Sequence, residues 1–227
     1  MKRPKVVLLD VGGVLLLPAA DRIATHLTGW GARPSGHDDA LVHYEAVAAF
    51  DRSGDMRDYR RRYAEMVGVP TSASDRAARS AAFRGPWRRV VPGAREALHR
   101  LALEFLLAVV SDSDGSVSDQ LKHAGVAQVG QGIGVQLRTV CDSAHLGVEK
   151  PHRKMFQTAL DTLGAMPHEA VMIGDSLHCD VGGAQNLGIR PIHVSPYGCS
   201  VSGHDDVADV AAAVALLTEP AHAQQNE

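Results

Sequence analysis

Aromatic residues are scarce in this chain. Two Trp, four Tyr and four Phe make up 4% of its 227 residues. So few rings argue against a base-stacking surface for nucleic acid. Cysteine is sparse as well: Cys141, Cys179 and Cys199 are widely spaced and odd in number. That pattern excludes a disulfide framework and fits a reducing, cytoplasmic setting. Nor is there an excess of charge of one sign. With 23 Lys and Arg against 26 Asp and Glu, the net charge is −3, and no overall field favours nucleic acid or an anionic membrane. Long apolar runs are absent too, since Val6–Leu9 and Leu106–Val110 are strand-length and far short of a membrane span. Lys2, Arg3 and Lys5 are not followed by an apolar signal region. What remains is ordinary globular composition, 45% hydrophobic and 22% charged. The length allows one sizeable core, or a core with a small second domain.

Apolar periodicity organises the rest. Strand patterns occur at Val6–Leu9, Phe105–Val110, Val171–Ile173 and Pro191–Val194, with a weaker one at Arg138–Cys141. Helical patterns lie between them at Ala94–Leu103, Val117–Ala124, Arg153–Leu163, Cys179–Leu187 and Val207–Leu217. Strands alternating with helices predict an α/β fold, a Rossmann-like parallel sheet with helices on both faces. One stretch breaks the rhythm. From about Pro18 to Arg89 there are only helical patterns, over Ala20–Trp30, His37–Phe50, Met56–Val67 and Ser74–Phe83. This predicts a small helical cap at residues 18–89, inserted after the first strand, with 1–17 and 90–218 forming the α/β body. Residues 219–227 are polar and read as a loose tail.

Four strand-end segments carry chemistry. Asp10 closes the apolar run Val6-Val7-Leu8-Leu9, and Gly12 and Gly13 follow it. Ser111 ends Val109-Val110-Ser111-Asp112-Ser113, Lys150 stands in Gly147-Val148-Glu149-Lys150-Pro151, and Asp175 in Ile173-Gly174-Asp175-Ser176, with Asp180 five residues on. Ligands of open α/β sheets bind at the C-terminal strand edge. Together these groups supply a nucleophilic carboxylate, a hydroxyl, a fixed cation and two further carboxylates. That set suits phosphoryl transfer, which is mostly positioning and charge stabilisation. Mg²⁺ takes hard oxygen ligands, commonly one or two carboxylates with substrate phosphate.

The four segments, in this order and with a helical insertion after the first, resemble the haloacid dehalogenase superfamily over about residues 5–215. The insertion resembles its C1-type cap, in a phosphatase-like branch carrying Asp-X-Gly in motif one. By this resemblance Asp10 would be the nucleophile, forming an aspartyl-phosphate. Ser111, Asp112 and Lys150 would form the phosphate-binding position. Asp10, Gly12 (through its carbonyl), Asp175 and Asp180 would hold Mg²⁺. The implied activity is hydrolysis of a small phosphorylated metabolite, a sugar phosphate or nucleotide-like compound, by a monomer or homodimer with no nucleic acid or membrane partner.

Three departures bear on that activity. Most phosphatases of the family carry a second aspartate where this chain has Gly12. It protonates the leaving group, and general acid–base help is worth about 10²–10⁴-fold. His43, Tyr44 and Asp51 in the insertion are candidate substitutes, and a leaving group that needs little protonation is the other solution. Dehalogenases also lack the second aspartate but need no metal, so a 2-haloacid dehalogenase stays open, as does a catalytically weakened binding protein. Asp112 with Asp114 adds negative charge where asparagine often follows the motif-two hydroxyl. Gly130-Gln131-Gly132-Ile133-Gly134 replaces a common Phe-Asp pair and reads as a flexible loop. His178 and Cys179 read as loop and packing residues. Arg57, Arg60, Arg61 and Arg62 read as a solvated helix face, and Trp87-Arg88-Arg89 as packing plus solvated charge.

Overall fold

A computed structural model describes residues 3–83, 89–198 and 203–218. Trp87, Arg88, Cys199 and the tail 219–227 lie outside the described residues. The central element is a parallel six-stranded sheet. Its strands are β1 (Val6–Leu9), β4 (Leu106–Ser111), β7 (Thr139–Asp142), β8 (Ala170–Gly174), β9 (Arg190–Val194) and β10 (Asp205–Val207), in the order β10-β9-β8-β1-β4-β7. Short outlying strands are β2 (Leu16–Leu17), β3 (Arg89–Val90), β5 (Ala127–Val129) and β6 (Val135–Leu137).

β1 is buried on both faces because its neighbours and its side chains demand it. Val6 and Leu8 point into one apolar cluster, with Met155, Phe156 and Leu160 of α8 (Arg153–Leu163). Val7 and Leu9 point into the other, with Leu98 and Leu101 of α5 (Ala94–Ala102) and Val214 of α10 (Val210–Thr218). Alternate side chains of a strand face opposite ways, so four successive apolar residues serve two cores. Burying each such side chain contributes about 1.5–3 kcal/mol.

The segment between β2 and β3 is helical: α1 (Ala20–His26), α2 (Asp39–Ser53), α3 (Met56–Met66) and α4 (Thr71–Ala77). Asp38 caps α2 by accepting from the Ala40 and Leu41 N–H groups, and Gly54, in a left-handed conformation, ends it. These helices bury an apolar cluster of their own, including Leu27, Val42, Ala46, Tyr63 and Val67. The remaining helices are α6 (Val117–His123), α7 (Ser143–Leu146) and α9 (Gly182–Gln185).

Several boundaries differ from the sequence reading. β3 begins at Arg89 and pairs antiparallel with β2, joining the two ends of the insertion; two residues are too short to show a period. The helix expected at Cys179–Leu187 is instead a π-helical turn, Leu177–Val181, followed by α9. Single π-turns often sit at functional sites, and this one carries Asp180. The helix expected from Val207 starts at Val210, because 205–207 add an edge strand. The glycine-rich loop joins β5 and β6, and it is held: the Gln128 amide accepts from the Gly134 N–H and donates to the Gly134 carbonyl.

Candidate active site

The strand order places the four segments together. β8, β1 and β4 are adjacent and parallel, so Asp175, Asp10 and Ser111 meet at one C-terminal edge. Lys150 enters from the loop before α8. A cavity of about 120 Å³ opens there, lined among others by Asp10, Gly12, Ser111, Asp112, Lys150, Asp175 and Asp180.

Lys150 is the hub. Its Nζ lies 2.8 Å from Asp10 Oδ1 and 2.7 Å from Asp180 Oδ1. Burial disfavours its charge, but Asp10, Asp180 and Asp112 outweigh this and hold its pKa well above the ordinary value. Asp112 is turned toward this lysine's backbone and accepts from the Lys150 N–H at 2.9 Å. Burial pushes the Asp112 carboxyl up to about 6.

Three carboxylates, Asp10, Asp175 and Asp180, are buried with oxygens all within 4.8 Å of one another. Burial and then the charge of Asp10 raise Asp175 well above the usual carboxylate range. Asp180 is pushed up to about 8, by burial first, and Lys150 offsets this only in part. One lysine does not balance three buried carboxylates. An all-oxygen, electron-rich set of this kind fits a hard divalent cation, and a bound ion would reverse the upward shifts. Gly12 lines the same cavity, and its carbonyl accepts from the Val14 N–H at 2.7 Å. A carbonyl has a second lone pair.

Two glycines make this crowding possible. Gly13 has φ +66°, and a Cβ there would fall 2.2 Å from Asp175 Oδ2. A Cβ on Gly174 would fall 2.2 Å from Asp180 Cγ. Side chains at either position would displace a carboxylate.

The three insertion residues named as substitutes for the missing acid are all engaged. His43 Nε2 lies 2.8 Å from Asp175 Oδ2, and its Nδ1 lies 2.9 Å from the Tyr59 hydroxyl. Burial pushes the His43 pKa down to about 3, so the ring is neutral. With Asp175 ionised, as a bound cation would hold it, a neutral ring donates through Nε2–H and accepts at Nδ1 from Tyr59. The Tyr44 hydroxyl donates to the Gly13 carbonyl at 2.7 Å. Asp51 accepts from Ser176 Oγ at 2.6 Å, the Leu177 N–H at 2.9 Å and the His178 N–H at 3.0 Å. It therefore ties α2 to the loop between Asp175 and Asp180.

Tyr59 and Ser176 were not singled out by the sequence; both are ordinary residue types in a helix and a loop. Cys179 packs against this site, with Sγ 3.4 Å from the Lys150 carbonyl, and the His178 ring packs edge-on against Phe50. Arg57, Arg61 and Arg62 make surface ion pairs with Asp55, Asp58 and Glu45, and Arg89 pairs with Asp39. No described helix is long and apolar enough to cross a membrane.

Comparison with known proteins agrees with this geometry. Residues 148–215 match the HAD-hydrolase-like family model. Glyceraldehyde 3-phosphate phosphatase of Pyrococcus furiosus is 33% identical over 115 residues, 46% of this chain and 41% of that protein. Phosphoserine phosphatase of Thermus thermophilus is 31% identical over 150 residues, 66% of this chain and 58% of that protein. The matched segments thus span about two fifths to three fifths of these relatives' lengths. Among solved structures, the magnesium-bound HAD-hydrolase YfnB of Bacillus subtilis superposes with a TM-score of 0.66 at 18% identity, covering 96% of this chain and all of that one. L-2-haloacid dehalogenase of Xanthobacter autotrophicus gives 0.61 at 16%, covering 94% and 98%, a likeness of fold alone. With its motif residues gathered at one sheet edge, the chain is similar to hydrolases of the haloacid dehalogenase superfamily, and residues 148–215 match that family's model.

Proposed function

We propose that this chain is a Mg²⁺-dependent phosphomonoester hydrolase, acting on a small phosphorylated metabolite through an aspartyl-phosphate on Asp10. The observation that carries this reading is the convergence of three buried carboxylates at the sheet edge, two of them paired with one buried lysine. The names of the relatives, a glyceraldehyde 3-phosphate phosphatase and a phosphoserine phosphatase, support the substrate class. Asp10, Asp175 and Asp180, with the Gly12 carbonyl, would hold Mg²⁺. When bound, the ion neutralises charge so that a carboxylate nucleophile and a phosphate can approach.

The chain's own groups do the rest. An Asp10 oxygen attacks phosphorus as the bond to the leaving oxygen breaks. Lys150 and the Ser111 hydroxyl hold phosphoryl oxygens, and Asp112 fixes the lysine by its backbone. Water then attacks phosphorus, releasing orthophosphate and restoring the Asp10 carboxylate. The leaving oxygen receives no proton from position 12. His43 holds its Nε2 proton on Asp175, so the substrate that suits this site has a leaving group needing little protonation, such as an anomeric sugar oxygen.

The helical segment 18–89 serves as the cap, contributing Val47, Phe50, Met56 and Tyr59 to the cavity wall. Lys150 is the sole lysine or arginine among the described lining residues. A leaving group without a second anionic charge fits this wall better than phosphoserine does.

The dehalogenase reading is favoured by Gly12 but leaves Asp175 and Asp180 without a task. A phosphate-ester panel with and without Mg²⁺, including sugar 1-phosphates and nucleoside monophosphates, separates the readings. Mg²⁺-dependent phosphate release, lost by about 10⁴-fold in Asp10→Asn, is expected. Undiminished turnover in Asp10→Asn, or metal-independent halide release from a 2-haloacid, would overturn the proposal.

A further inference from the structure

The edge of the sheet carries a second cluster of donors with different chemistry. His193 on β9 and Asp206 on β10 are cross-strand partners. His204 lies in the bend just ahead of β10, two residues before Asp206. His193 Nδ1 lies 2.7 Å from Asp206 Oδ1, and His204 Nε2 lies 3.2 Å from the same oxygen. Both imidazoles are buried, with side chains 4% and 2% exposed, while the Asp206 side chain is 23% exposed. The two rings meet edge to face at 5.5 Å.

The tautomer of His193 matters here. Its Nε2 lies 3.1 Å from the Asp175 backbone carbonyl, which can only accept, so the ring proton belongs on Nε2. That leaves the Nδ1 lone pair facing a carboxylate. The Nδ1 lone pair, the His204 ring nitrogen and the Asp206 carboxylate thus converge on one point. A ligating histidine whose other nitrogen donates to a backbone carbonyl is a recurrent arrangement at metal centres.

We propose that His193 Nδ1, His204 Nε2 and Asp206 Oδ1 form a second metal site, for a borderline divalent ion of the zinc type. Two imidazoles and one carboxylate suit zinc and its neighbours, whereas the three carboxylates of the active site suit Mg²⁺. The three donor atoms already lie within 4.8 Å of one another. Tetrahedral ligands at about 2.0–2.1 Å from zinc stand about 3.3 Å apart, so the closest pair must open by roughly 0.6 Å. The partly exposed Asp206 carboxylate can turn to do this, and its open side admits water as a fourth ligand.

The test is zinc binding to the full chain at saturating Mg²⁺, read by competition with a chromogenic chelator. Co²⁺ serves as a spectroscopic probe of four-coordinate nitrogen and oxygen ligation. One equivalent of Zn²⁺ is expected in the wild type and equally in Asp175→Asn, which removes a magnesium ligand but keeps the backbone carbonyl that His193 meets. His204→Gln and Asp206→Asn should each weaken it by at least about 100-fold, with near-UV circular dichroism confirming that each variant is folded. Asp206→Asn decides the matter if His204→Gln does not fold. Absence of zinc binding would overturn the proposal. So would zinc retained undiminished in these variants.

Discussion

The sheet edge and the helical insertion face each other across one cavity, yet they are built by opposite rules. At the sheet edge, charge is concentrated in buried positions: Asp10, Asp175, Asp180 and Lys150 are each less than a tenth exposed. The insertion brings Val47, Phe50, Met56 and Tyr59 to the same space, with no added cation among the described lining residues. Such a division suits a reaction in which one side stabilises a phosphoryl group and the other shapes the leaving group. Several of the insertion's charged residues are engaged elsewhere: Asp51 binds the Ser176 hydroxyl and the Leu177 and His178 N–H groups, and Arg57, Arg61 and Arg62 pair at the surface.

The largest expected effect outside chemistry falls on the sheet edge. Lys150→Met removes the cation shared by Asp10 and Asp180, and breaking a buried pair costs about 3–5 kcal/mol. Urea unfolding of the metal-free protein measures this. A loss below about 1 kcal/mol would mean that the carboxylates do not depend on the lysine, and the contrast between the two regions would weaken. A smaller effect is expected on the insertion side. Asp51→Ala removes three acceptor contacts and is expected to cost about 1.5–3 kcal/mol. Amide exchange at Leu177 and His178 should quicken while the α5 amides stay protected; unchanged exchange would separate Asp51 from that loop.

The smallest effect is a slope. Asp180 binds its proton more tightly folded than unfolded, so the stability this lends is complete below about pH 4 and is lost as pH rises toward about 8. His43, pushed down to about 3 by burial, opposes this, but its contribution is complete by its ordinary value of 6.5. Between about pH 6.5 and 8 the metal-free protein should therefore lose stability as pH rises. Mg²⁺, which binds deprotonated carboxylates, should flatten that slope. A metal-free melting temperature constant over this window would contradict it.

Much of this molecule can be read in one dimension. The apolar runs ending in Asp10 and Ser111 mark buried parallel strands because such strands have no polar face to display. Strand-end placement then gathers Asp10, Ser111, Lys150 and Asp175 before any coordinates are known, and the family resemblance follows from the same residues. Short elements are less legible. β2 and β3 have two residues each, and the π-turn carrying Asp180 keeps near-helical spacing, so periodicity passes over both. The sequence likewise offers His43, Tyr44 and Asp51 as equals.

Residue types, their order and the strand-end spacing thus determine the α/β class and the carboxylate–lysine set by themselves. Tertiary structure alone decides that His43 meets Asp175, that Asp51 clasps the loop beyond it, and that His193, His204 and Asp206 share a corner. His43 and Asp175 are 132 positions apart, Asp51 and its loop partners 125 to 127, and His193 and Asp206 13, on neighbouring strands whose register no local pattern encodes. Burial strengthens such contacts, and burial is a property of the packed chain.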